Sequence, residues 1–291
     1  MMNICVNVME VMILNVLDCK KIRDDMLEKA KIKVQGKKMK LVVIQVVGDM
    51  ASDIYIKNKK KVCEQIGIEF EHVTMPSDVE YETLAKTIKA CNEDNFVTGL
   101  MLQLPLPQHL QQYEQQLINL IDWKKDVDGL TTENIGRLWS GQQCITPCTA
   151  QGIIDLIPFE LEGKSVGIFG RSNLIGKPLV KLFTDRNATV TLCHTKTNPE
   201  TRSRAMTSDI VVLATGNPRW CNINMLRKDS IVIDAGISRD KNGKLCGDFD
   251  NYCFYSSSIT CTTVPNGVGL ITVAQLMLNV IKAYELQRKI I

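Results

Sequence analysis

Only three histidines occur in the 291 residues, and none of the 11 cysteines belongs to a Cys-x-x-Cys pair. Those shortages exclude a metal constellation of ordinary ligand spacing, so no metal is expected. An odd, scattered set of thiols also argues against a disulfide framework and for reduced cysteines in a cytoplasmic setting. Charge of one sign is equally scarce. With 35 basic and 32 acidic residues the net charge is +3, too small to point to nucleic acid as a partner. The one basic run, Lys57-Asn-Lys-Lys-Lys61, reads as a solvated helix face. Repeats of fixed period and low-complexity tracts are absent. Met1 to Leu17 is apolar, but it has no basic leader and is broken by Asn3, Asn7, Glu10 and Asn15. It reads as an N-terminal strand rather than a signal peptide or a membrane span. No other stretch looks long and apolar enough for a bilayer, so no membrane is expected either.

What is present is apolar material enough for one large domain or, by length, two: 45% of residues are hydrophobic and 23% charged. Apolar spacing predicts a helix over Lys21 to Lys33, and the continuous run Leu41 to Val47 predicts a buried parallel strand. A helix from Ser52, as N-cap, to Ile66 follows, then a strand at Ile68–Val73, a helix at Glu80–Asn92 and a strand at Val97–Gln103. Further on, a helix at Ala150–Ile157 leads into strands at Ser165–Phe169, Ala188–Cys193, Ile210–Ala214 and Ser230–Ile233. A last helix covers Thr272 to Leu286. Strand–helix alternation of this kind implies an α/β fold of two three-layer units with a cleft between them. The expected division is residues 1–148 and 149–271, the second Rossmann-like, with the final helix (272–291) returning to the first.

Ser165-Val-Gly-Ile-Phe-Gly-Arg-Ser-Asn-Leu-Ile-Gly-Lys-Pro178 has the layout of a dinucleotide phosphate site: buried strand, glycine-bearing turn, helix. Ser172 stands where a second glycine is usual, and Gly176 comes one residue late, so on this stretch alone a plain turn is nearly as good a reading. The following strand tips the balance. Where an NAD site carries an acid for the ribose, this chain has His194 and Thr195, and Arg171 sits in the first turn. That pattern suits a 2′-phosphate, hence NADP.

Chemistry-bearing residues fall at the predicted carboxyl ends of the first unit's strands. Tyr55 and Lys59 share a helix face, although a half-packed tyrosine beside a surface lysine is the plainer reading of those two alone. Gln103 ends an apolar strand ahead of Leu-Pro-Leu-Pro107, where an unpaired amide would be costly. Lys125-Asp-Val-Asp-Gly129 sets two acids in a glycine-ended turn, an arrangement that is commonly structural. Val264-Pro-Asn-Gly-Val-Gly269 is a glycine-rich loop able to approach a ligand.

Taken in order, Ser52-x-x-Tyr55-x-x-x-Lys59, Gln103-Leu-Pro-Leu-Pro107, Lys125-Asp-Val-Asp-Gly129, Pro147-Cys-Thr149, Gly170-Arg-Ser172, Asp234-x-Gly236 and Pro265-x-Gly-Val-Gly269 resemble the bifunctional methylenetetrahydrofolate dehydrogenase/methenyltetrahydrofolate cyclohydrolase family. The resemblance runs from about residue 17 to the C-terminus. It implies oxidation of 5,10-methylenetetrahydrofolate with NADP and hydrolysis of the methenyl product to 10-formyltetrahydrofolate, in the one-carbon metabolism that serves purine synthesis. It also implies roles. Lys59 would be the base or proton relay, Gln103 its partner, Tyr55 a stacking platform and Asp128 the ligand of the pterin edge. Ser52, Cys148, Pro265 and Gly267 would line the substrate pocket. NADP would lie against Gly170, Arg171, Ser172, Ile175, Gly176, His194, Thr195, Ala214, Thr215, Gly216 and Ile237, in a homodimer joined through the nucleotide units. The chain departs from the family at Asn266 for glycine and at Leu270-Ile271 for Pro-Met, a pair expected to flank folate and nicotinamide. Two alternatives stand beside this reading: a catalytically weakened folate- or nucleotide-binding paralogue, and another two-domain Rossmann dehydrogenase of the shikimate or amino-acid type.

Overall fold

The computed structural model describes residues 15–47, 50–250 and 259–288. After a two-residue strand β1 (Asn15–Val16), helix α1 (Cys19–Val34) starts at Asp18, whose carboxylate accepts from Lys21 N at 3.0 Å. Then come β2 (Lys40–Val46), α2 (Met50–Ile66), β3 (Glu69–Met75), α3 (Tyr81–Glu93) and β4 (Gly99–Leu102). Three short helices follow: α4 (Gln108–Gln111), α5 (Glu114–Ile118) and α6 (Thr132–Trp139). The three strands form a parallel sheet in the order β3-β2-β4.

The layering follows from the period of two along β2. Leu41 and Val43 face a core that includes Leu27 of α1 and Cys63 of α2, while Val42 and Ile44 face another with Leu84 and Ile88 of α3. Every residue from Leu41 to Val46 is buried, the mark of a strand covered on both faces.

Helix α7 (Cys148–Asp155) leads into the second sheet. Its elements are β5 (Ser165–Phe169), α8 (Gly176–Thr184), β6 (Thr189–Cys193), α9 (Pro199–Met206), β7 (Ile210–Leu213) and β8 (Ile231–Asp234). A small antiparallel pair, β9 (Ser238–Arg239) with β10 (Leu245–Cys246), then β11 (Thr260–Cys261) and the long α10 (Val268–Gln287) complete the chain. The sheet runs β1-β11-β8-β7-β5-β6, parallel throughout. From β5 the chain steps out to β6 and then crosses back to β7. The switch point of this doubly wound sheet therefore lies between the carboxyl ends of β5 and β7.

Several expectations need correction. Helix α2 begins at Met50, so Ser52 lies within it and is not its N-cap; the Ser52 side chain lies outside the described residues. Of the expected N-terminal strand, residues 1–14 lie outside the described residues, and Asn15–Val16 joins the second sheet through β11. Helix α10 starts four residues early and is, by length and composition, apolar enough to cross a membrane. Its apolar character has another use, because it packs against α1, α2 and α7 as a core helix. Ile271 belongs to that core: it is fully buried, with Cγ2 only 2.9 Å from where a Cβ on Gly152 would stand. It fills the α7–α10 interface instead of flanking a ligand.

Close helix–sheet packing also explains Gly167, since a Cβ there would meet Ala205 O of α9 at 2.1 Å. A backbone oxygen cannot swing aside as a side chain can. Gly167→Ala is expected to cost about 1–3 kcal/mol as an overpacked contact, read as a lower urea midpoint with an unchanged slope. An unchanged midpoint would show that α9 slides freely over the sheet.

Candidate active site and nucleotide crevice

The carboxyl edge of the small sheet carries the first cluster. Lys59, three turns into α2, donates from Nζ to Gln103 Oε1 at 2.8 Å and approaches Met101 Sδ at 3.5 Å. The Gln103 amide is oriented from its other end, where Nε2 donates to Leu104 O at 2.7 Å, so its oxygen is left to face the lysine. Burial pulls the Lys59 ammonium below the usual lysine range, and the nearby charge of Asp128 opposes that shift. Asp128 shows the converse. Burial pushes its carboxyl up, with Lys59 holding it down and Asp126 adding to the rise. The two groups thus lie partly buried at one edge, where each makes the other's charge more tolerable.

Tyr55, one turn before Lys59, is half-buried, and desolvation raises its phenol. The opposing influence is Arg239 on β9, so the β9–β10 ribbon reaches over toward α2. Cys148, first residue of α7, is buried beneath the cluster with Sγ 3.2 Å from Val127 O. Its thiol is pushed well above the usual range by burial and then by Asp128, which leaves it protonated and a poor nucleophile.

The turn carrying Asp128 is built by its neighbours. Asp126 is buried and accepts from Gly129 N at 2.9 Å, Thr131 N at 2.8 Å and Asn134 Nδ2 at 2.9 Å. Gly129 has φ +70°, and a Cβ there would strike the Ile145–Pro147 backbone at 2.6 to 2.7 Å. Lys125 turns away and donates to Asn92 O at 2.7 Å and Asp94 O at 2.8 Å at the end of α3. Within the Lys-Asp-Val-Asp-Gly run, Asp128 is the acid left partly exposed, beside the Cys148 thiol.

The second cluster lies at the switch point. Gly170, with φ +119°, would bring a Cβ within 2.2 Å of Ala214 O, and a Cβ on Gly176 would lie 1.9 Å from Gly170 O. Backbone occupies the space that side chains would need, leaving the α8 N-terminus bare beside an open turn. Arg171 and Ser172 are exposed on that turn, and Ser172 Oγ accepts from Ile175 N at 3.1 Å. At the end of β6, His194 N donates to Thr197 Oγ1 at 2.9 Å while His194 Nδ1 accepts from Lys196 N at 3.1 Å, leaving Thr195 exposed. At the end of β7, Thr215 donates to Asp248 Oδ2 through both N and Oγ1, at 2.6 and 2.7 Å. Gly216 accepts from Ser238 Oγ at 2.8 Å, and Ile237, just past β8, is 51% exposed. All eleven predicted nucleotide residues thus border the carboxyl edge of one sheet.

Pro265 and Gly267 stand on the loop into α10, in which the preceding Val264 packs close to Gly247 and Gly267 lies against the Thr263 backbone. Asn266 there adopts φ +73°, the left-handed turn that asparagine tolerates in place of glycine. A recess of about 550 Å³ lined by Asn92, Trp123 and Thr132 contains none of the site residues expected from the sequence. Among the described residues no group of three or more His, Cys, Asp or Glu converges as metal ligands.

Sequence reasoning missed Met101, Asn134, Arg239 and Asn279, a buried residue of α10, whereas the structural reading of Asp126 agrees with its backbone bonds. A polar residue in an otherwise apolar helix could have flagged Asn279. Nothing in the sequence connects Arg239 with Tyr55.

Fold and site together define a doubly wound α/β protein with a dinucleotide-type crevice and a desolvated lysine at the edge of its smaller sheet. The family model for the tetrahydrofolate dehydrogenase/cyclohydrolase catalytic domain matches residues 17–128, and that for its NAD(P)-binding domain matches 147–288. Curated relatives named bifunctional protein FolD include those of Bacillus cytotoxicus, 41% identical over 259 residues (88% of this chain, 90% of that one), and Lachnoclostridium phytofermentans, 43% identical over 257 (87% and 89%). A solved FolD structure from Campylobacter jejuni superposes with TM-score 0.86 at 32% identity, covering 94% of this chain and all of that one. The Trypanosoma brucei enzyme, solved with NADP and an inhibitor, gives TM-score 0.83 at 28% identity over 95% and 98%. This chain belongs to the tetrahydrofolate dehydrogenase/cyclohydrolase family.

Gly176→Ala tests the crevice. The added methyl has a backbone oxygen in its place, so the turn must open, and NADP affinity is expected to fall by at least about tenfold. Fluorescence titration with NADP reads this directly; unchanged affinity would place the nucleotide elsewhere.

Proposed function

We propose that this protein oxidises 5,10-methylenetetrahydrofolate with NADP and hydrolyses the resulting 5,10-methenyltetrahydrofolate to 10-formyltetrahydrofolate. The observation that carries this reading is the Lys59–Gln103 hydrogen bond set beside Asp128, where burial desolvates both charges. Family membership and the likeness to FolD relatives support it.

The crevice fits NADP by its chemistry: a glycine-walled turn at a helix N-terminus, the Arg171 guanidinium beside it, and no acid at the end of β6. Bound there, NADP supplies a hydride acceptor. Oxidation of the methylene bridge leaves a methenyl cation on the folate. Tyr55 offers a ring for the substrate to stack on, and Asp128 accepts from the donor-rich pterin edge. Lys59 is suited to the second step because burial enlarges its neutral fraction near neutral pH. A neutral amine with one hydrogen engaged by Gln103 presents its lone pair to a water attacking the methenyl carbon. The proton passes from that water to Nζ; as the carbon–N5 bond opens, Nζ returns it to N5 and the carbinol hydroxyl loses its own proton to solvent, giving the 10-formyl product and one released proton.

The division into units at residues 1–148 and 149–271, with the last helix returning, is supported by the packing of α10 against α1 and α2. Homodimer formation through the nucleotide units is supported by β6, which ends the larger sheet. The nine described cysteines are free thiols, which supports a reducing, cytoplasmic setting. A role in supplying one-carbon units for purine synthesis follows from the 10-formyl product.

A spectrophotometric assay with methylenetetrahydrofolate and either nicotinamide tests the dehydrogenase, and decay of added methenyltetrahydrofolate tests the hydrolase. Lys59→Met is expected to lower hydrolysis by about 10²–10⁴-fold while folate still binds. In the unmodified enzyme hydrolysis should rise with pH through the lowered Lys59 pKa, because the neutral amine is the active form. Hydrolysis by Lys59→Met within a few-fold of the parent would remove the lysine from the mechanism. Arg171→Ala should raise the NADP KM more than about tenfold with little change for NAD, as expected for a lost guanidinium–phosphate pair. Equal use of both cofactors by the parent protein would overturn that assignment.

A further inference from the structure

Helix α10 is apolar along most of its length, yet Asn279 lies in its middle, 2% exposed. An amide nitrogen has two hydrogens, and both are spoken for. Nδ2 of Asn279 donates to Val127 O at 2.8 Å and to Thr146 O at 2.9 Å, and it lies 3.2 Å from Cys148 Sγ. Its orientation is set from behind by Gln275, whose Nε2 donates to Asn279 Oδ1 at 3.1 Å.

The two carbonyls belong to different segments. Val127 immediately precedes Asp128, and Thr146 lies two residues before Cys148, in the strip of backbone against which Gly129 is pressed. The Cys148 thiol adds a second tie by donating to Val127 O. One side chain from the far end of the sequence thus clamps the peptide on which Asp128 is mounted. Most of a buried helix needs only shape from such a position, and an amide there is costly unless its bonds are required.

We propose that Asn279 is a positioning residue: through the Val127 and Thr146 carbonyls it holds the Asp128 carboxylate where the pterin edge of the substrate meets it. This rests on Asp128 being the pterin ligand. Asn279 itself touches no substrate. Its loss should therefore weaken folate engagement in both reactions and spare the nucleotide crevice.

The test compares Asn279→Leu, Asp128→Asn and the double variant in the full-length enzyme, with KM and kcat for methylenetetrahydrofolate, KM for NADP and thermal melting. Asn279→Leu is expected to raise the folate KM by about tenfold or more, since small misplacements of a binding group have effects of that order, with the NADP KM within about twofold. The double variant should be little worse than Asp128→Asn alone, because both changes remove the same contact. If Asp128→Asn raises the folate KM and Asn279→Leu does not, the positioning role fails and the pterin assignment stands. If Asp128→Asn itself leaves the folate KM unchanged, the pterin assignment fails and takes this proposal with it. A parallel fall of kcat with both KM values unchanged would mark Asn279 as merely structural. Should Asn279→Leu not fold, Asn279→Ser keeps one donor. It is expected to show a smaller rise in folate KM, and lowered melting with an unchanged folate KM would overturn the proposal.

Discussion

Holding the Lys59 ammonium out of water is the constraint on which the site depends. A desolvated cation is expensive unless partners are supplied at fixed positions, and here they come from two separate stretches of chain. Gln103 accepts a hydrogen at 2.8 Å from the end of β4, Asp128 supplies opposite charge from the turn beyond it, and α2 presents the lysine. The same burial that lowers the Lys59 pKa raises that of Asp128. Both groups are therefore closer to their neutral forms than they would be in water. That is the state a proton acceptor next to a cationic substrate needs.

Around this pair the structure spends polar groups on rigidity. Asp126 uses its carboxylate on two backbone amides and Asn134, which in turn accepts from Ile145 N at 2.9 Å. Lys125 caps the end of α3. From the opposite side α10 supplies Asn279. The nucleotide edge is rigid by another route, that of glycines whose missing Cβ atoms let backbone meet backbone. Gly170 fits against Ala214 and Gly176 against Gly170. Beneath it Asp234 accepts from Gly236, Asp248 and Phe249 amides, and burial lifts its pKa to about 6 in spite of them.

The two halves of the site were unequally legible. Gly170, Arg171, Ser172 and Gly176 are contiguous, and a strand–turn–helix reads locally, so their grouping needed no tertiary information. His194, Ala214 and Ile237 follow once parallel strands are assumed, because equivalent positions at strand ends must fall on one edge. Lys59, Gln103 and Asp128 stand out by position at predicted strand ends, but their roles come from a family resemblance. Their spacing alone left Lys59 indistinguishable from the exposed Lys57, Lys60 and Lys61 beside it. Ile271 departs from expectation for the opposite reason, while its neighbour Leu270 stays partly exposed. Adjacency to a glycine loop suggested a ligand, whereas the helix phase turns Ile271 onto Gly152.

Local pattern, then, determined what depends on neighbours along the chain: the buried run of β2, the helical stretch of α1 though not its start at Asp18, the left-handed turn at Asn266, the absence of an acid after β6. Only the tertiary structure decided which charges lie together, that Asn279 grips Val127 across 152 residues, and that Arg239 stands near Tyr55. The physical reason is range. Hydrogen-bonded turns and side-chain periodicity are written within a few residues, but desolvation is a property of everything packed around a group. No stretch of sequence contains its own surroundings.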